Sequence, residues 1–166
     1  MTIDLLKRCL WFLTLVLAQV IVLGRIHLFG CATPMLYVWF VILMPRNYPK
    51  WATLLWSFMM GVTVDIFFNT PGMAAASLTV IGALQPYLLE SILPRDSAEN
   101  LVPSHKTIGH MRYTYFVIIL VSLYCLLFYT VELFGFSHAW LWAKSVVGST
   151  ILTLTLIFTF EIVRSK

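Results

Sequence analysis

Long apolar runs separated by short polar breaks make up most of this chain. The runs are Cys9–Leu23, Ile26–Met44, Trp51–Phe68, Gly72–Leu93, Tyr113–Phe134 and Ala139–Val163. Most lie close to the ~20 residues that cross a hydrocarbon core as a helix. They lack the period-2 alternation of a membrane β-strand. The pattern therefore predicts an all-α, polytopic membrane helical bundle of about six transmembrane helices. The second run is the awkward one, because it contains His27, Gly30 and Pro34. If it is short or re-entrant, five spans remain. In the fourth run Gln85-Pro86 predicts a kink, since proline removes a backbone donor and crowds the preceding turn.

Composition turns the pattern into a class. Of 166 residues 60% are hydrophobic and 11% are charged, and the mean hydropathy is +0.89. A soluble domain is about half apolar and about a quarter charged. There is too little polar surface here to coat a globule in water, so residues 1–166 read as a single integral membrane domain.

Charge orients it. With the N-terminus inside, the inner segments hold Lys7, Arg8, Arg46, Lys50, Arg95, Lys106, Arg112, Arg164 and Lys166, and the outer ones hold Arg25 and Lys144. That bias predicts a multi-pass membrane protein with both termini cytoplasmic. The basic balance follows from topology and implies no nucleic acid. The first run follows Lys7 and Arg8 as a signal peptide would. No small-residue cleavage site follows it, so it reads as a retained helix.

Trp51, Trp140 and Trp142 open spans, where amphipathic rings sit at the interface. Trp11, Trp39 and Trp56 read as packing residues. Ala75, Thr79 and Ala83 recur every four residues, as do Ser145, Ser149 and Thr153, which lets helix backbones approach. These faces serve internal packing or a partner. The one sizeable polar segment is Pro94–Met111, where Asp96 and Glu99 have capping-box spacing and predict a short helix before Pro103.

Reactive chemistry is sparse. Cys9, Cys31 and Cys125 are isolated and read as small buried hydrophobes. His105 and His110 lie five apart, off one helical face, with no carboxylate at ligand spacing. No nucleophile elbow, zinc-protease helix or phosphate loop is present. No catalytic, metal or cofactor set is expected, and the chain reads as a non-enzyme.

Among the acids, Glu90, Glu132 and Glu161 fall near span ends, where side chains reach the interface. Asp65 does not. It sits in "GVTVDIFFNTPG", residues 61–72, four residues and about 6 Å of helix from the outer turn. An acid there costs up to roughly 2–3 kcal/mol unless it faces protein and finds a partner. Lys144, at similar depth below the outer end of the sixth run, is the expected partner, directly or through a water or hydroxyl, with Arg25 as a rival. Gly61, one turn below Asp65, would let a neighbouring helix approach.

Gly61, Asp65 and Gly72, followed by an Ala-rich helix, resemble the rod shape-determining protein MreD family. Pro34, opening an aromatic-aliphatic run that ends at Met44-Pro45, resembles that family's second span. Thr33 stands where many members have a basic residue. The resemblance implies a non-catalytic scaffold subunit of the bacterial cell-elongation, peptidoglycan-synthesis machinery. Its implied partners are an MreC-like bitopic membrane protein, the elongation glycosyltransferase and transpeptidase, indirectly the MreB filament, and membrane lipid. It also implies a fold similar to the substrate-binding subunits of energy-coupling-factor transporters. The alternative is a vitamin-type binding subunit of a transporter, which would share the architecture but call for a larger outer lid.

Overall fold

In the computed structural model, residues 2–22, 33–93, 101–132 and 139–165 are described, and they are mostly helical with no strand among them. Arg25, His27, Gly30, Cys31, Asp96, Glu99 and residues 135–138 lie outside the described residues. The helices are α1 (Thr2–Leu17), running into a π-helical turn at Ala18–Val22, then α2 (Val38–Ile42) and α3 (Lys50–Phe68). They continue with α4 (Met73–Ile92), α5 (His105–Ile108), α6 (His110–Glu132) and α7 (Ala139–Ser165). Three of them are long and apolar enough to cross a membrane: α3, α6 and the Trp140–Arg164 portion of α7. In α4, of 20 residues, Gln85, Pro86 and Glu90 dilute the apolar run.

Helix boundaries follow local chemistry. Pro49, extended at φ −60 and ψ 128, precedes α3, where a fixed φ and an absent N–H suit a helix start. Asn69 ends α3 in the left-handed region at φ 54, and Gly72 opens α4 at φ 83. Asparagine and glycine are the residues that enter that region most readily. α4 continues through Pro86 to Ile92. The capping box of the polar loop is Ser104 with Thr107, after Pro103. Leu101 and Ile108 turn the described part of that loop onto the bundle, where both join the core.

The second apolar run does not form a full-length helix in its described part. Residues 33–37 are non-helical, and α2 is 5 residues long, all buried. In that part the run is irregular, as Pro34 led one to expect. Non-helical backbone at membrane depth is tolerated only when surrounding protein satisfies its polar groups. Gln19, a polar residue of the π-helical turn, supplies that satisfaction at one end. Its Nε2 donates to the Pro34 carbonyl at 2.8 Å, and its Oε1 accepts from Leu36 N–H at 3.1 Å. From α7, Ser149 Oγ accepts from Thr33 N–H at 3.1 Å, and Thr153 Oγ1 accepts from Met35 N–H at 3.0 Å. At the far end Gln85 Nε2 donates to the Met44 carbonyl at 3.1 Å. The stripe Ser145, Ser149 and Thr153 is therefore buried and internal.

Aromatic side chains fill the rest. Trp11 packs edge-on against Trp39 at 5.8 Å, and Trp56 tilts against both Phe12 and Phe40 at 5.9 Å. Trp56 Nε1 donates to Tyr48 Oη at 3.1 Å, and the Arg8 guanidinium lies 3.7 Å above the same Tyr48 ring. Such a cation–π contact is attractive, more so when partly desolvated. It ties the start of α1 to the approach to α3. By contrast Trp51 and Trp140 are exposed, as interfacial anchors require.

Candidate functional site

The residues of "GVTVDIFFNTPG" form one structural unit, the turn between antiparallel α3 and α4. A helix start leaves its first backbone N–H groups without intrahelical partners. A Ser, Thr, Asp or Asn at the N-cap normally satisfies one of them. Here the N-cap is Gly72, which has no side chain to offer. Asp65 reaches across from the last turn of α3 instead. Its Oδ1 accepts from Ala74 N–H at 2.9 Å and from Thr70 Oγ1 at 2.8 Å, and its Oδ2 accepts from Ala75 N–H at 2.9 Å. The Asp65 carbonyl also accepts from Thr70 N–H at 3.1 Å.

The arrangement is electrostatically favourable. A carboxylate at a helix N-terminus meets the positive end of the helix dipole and charge-assisted donors. Asp65 is 6% exposed, so these bonds replace the hydration it has lost. Gly61 makes the reach possible. A Cβ placed there would stand 2.7 Å from Ala75 N and 2.8 Å from the Ala74 carbonyl carbon, closer than van der Waals contact allows. One helical level further down, a Cβ on Gly82 would stand 2.8 Å from Ser57 Cβ. Glycine thus faces the opposite helix at two levels of the α3–α4 seam, which is how helix backbones come close in lipid.

The structure forms no direct Asp65–Lys144 ion pair. Both carboxylate oxygens are engaged by Thr70, Ala74 and Ala75, while Lys144 is exposed on α7. Arg25, the rival, lies outside the described residues. Pro34 belongs to the buried non-helical segment described above. The preceding Thr33 bonds to Tyr129 through its hydroxyl at 3.2 Å. Gly61, Asp65 and Gly72 are brought together; Pro34 and Lys144 stand apart from them.

Two further polar centres carry little signal in the sequence, and a third lies deeper than its position suggests. Gln19 is the clamp on Pro34 and Leu36, and a lone amide in the first apolar run was its only signal. The Tyr37 and Tyr124 hydroxyls bond to one another in the core. Glu161, read as an interfacial acid, is 1% exposed, because its face of α7 turns inward beside Tyr113 and Trp39. Cys125 is buried as expected, whereas Cys9 is exposed. No family model matches the chain, and neither a curated protein nor a solved structure matches it.

Proposed function

We propose that this chain is a non-catalytic membrane scaffold subunit of the bacterial cell-elongation machinery, as its resemblance to the MreD family implies. One observation carries the reading: the acid of the family-like motif is committed to holding the start of α4. A carboxylate whose two oxygens bond Thr70 and two backbone N–H groups is a fastener, and the glycines around it are close-contact points. The motif then acts by fixing the shape of the α3–α4 hairpin that partners meet. In this reading the chain is multi-pass in the inner membrane with both termini cytoplasmic. α1, α3, α4, α6 and α7 cross it, with the 33–44 segment as a short sixth passage. Its partners are a bitopic MreC-like protein and the elongation glycosyltransferase and transpeptidase.

Depletion in the native cell tests the proposal. Cells lacking the chain should round or swell with vitamin uptake unchanged. Normal shape with a lost uptake activity would replace the scaffold by the transporter subunit.

A further inference from the structure

Of the three helices long and apolar enough to span, α7 is the least covered. In its most apolar stretch 22% is buried, against 39% in α3 and in α6. Its inward side carries Ser149, Thr153 and Glu161. On the opposite side Trp140, Lys144, Val147, Ile151 and Thr155 recur every three or four residues, the spacing of one helix face. All five are exposed. Lys144 is the anomaly among them. It lies four residues, about 6 Å of helix, below Trp140, whose ring sits where interfacial anchors sit. Among the described residues no carboxylate pairs with it. The charge bias that gathers most Lys and Arg at the other surface does not account for it. A cation held at that depth calls for an anion.

We infer that this face of α7 docks a membrane-crossing helix of another protein, one that carries an Asp or Glu at the level of Lys144. The carboxylate pairs with the ammonium where it stands, and away from water that attraction is stronger than at a wet surface. Below it the same helix covers Val147, Ile151 and Thr155. Thr155 Oγ1 already donates to the Ile151 carbonyl at 2.8 Å, so the unmet polar demand of the strip is the Lys144 charge. A lipid phosphate, reached by a lysine stretched toward Trp140, would meet that charge and leave the apolar strip bare. The inference rests on the membrane reading of α7 and goes beyond cell elongation. An acid-bearing helix from any other process would sustain it and sink the elongation reading.

Photo-crosslinking in native membranes tests it, with benzoylphenylalanine in place of Val147 or of Ile151 in the full chain. After irradiation the tagged chain is purified under denaturing conditions, and the attached peptide is sequenced by mass spectrometry. Both positions should trap the same membrane-crossing segment, with an Asp or Glu within about one turn of the depth of Lys144. Lys144→Met should lower the yield several-fold and Lys144→Glu should lower it further, with the thermal stability of the chain unchanged. A lysine in place of the trapped segment's acid should restore the yield with Lys144→Glu. Adducts to lipid alone, to a second copy of this chain or to a segment without an acid at that level would overturn the proposal. So would the absence of any adduct, or a yield indifferent to Lys144→Met and Lys144→Glu.

Discussion

At the scale of single residues, Asp65 shows how a buried acid in an apolar helix is accommodated by backbone donors. Its two bonds to backbone N–H groups are charge-assisted, each worth about 1.5–3 kcal/mol. Asp65→Ala should therefore destabilise the chain by about 3 kcal/mol or more, since it strands two buried donors. Asp65→Asn, which keeps one acceptor oxygen, should cost about half as much. Unfolding in mixed detergent micelles measures both. The same experiment separates the observed capping from the ion pair expected on depth. Lys144→Asp alone should be nearly silent, and Asp65→Lys with Lys144→Asp should be no better than Asp65→Lys alone. That Asp65 faces protein could be read from its neighbours Ile66, Phe67 and Phe68. Its partner could not, because backbone N–H groups carry no sequence label. The one cue was Gly72, a helix start without a capping side chain.

At the scale of elements, four apolar runs translate into α3, α4, α6 and α7 with nearly the expected limits, because helix is the one open-chain conformation that satisfies its own backbone in lipid. The second run departs from that rule. Its backbone is satisfied by Gln19, Gln85, Ser149 and Thr153, residues distant in sequence. No local pattern in Ile26–Met44 displays those partners, although Pro34 and Gly30 marked the run as irregular. Gln19→Leu keeps the first apolar run helical but leaves the Pro34 carbonyl and the Leu36 N–H unsatisfied, at about 1–3 kcal/mol each. The expected outcome is a chain that inserts normally and loses stability. Protease or thiol-probe access at residue 35, introduced as Met35→Cys, should rise. Unchanged access would mean that the segment is held by packing alone.

At the scale of the whole molecule, Arg8, Met44, Tyr48, Gln85 and Leu101 meet at one end of the bundle through direct contacts or through the segment that joins them. The starts of α1 and α3 and the end of α4 are therefore gathered on one side, the side to which the excess of Lys and Arg belongs. Reporter fusions at Lys166 and within residues 94–111 should both read cytoplasmic, and an external signal at either would refute the orientation. The scaffold reading itself makes the motif a shape-fixing device for partners, and the direct measurement is affinity capture of the tagged full chain from native membranes in mild detergent, followed by mass spectrometry. The account predicts a bitopic MreC-like protein with the elongation glycosyltransferase and transpeptidase, in amounts that fall with Asp65→Ala. Recovery of a pair of transporter ATPases in their place would contradict it.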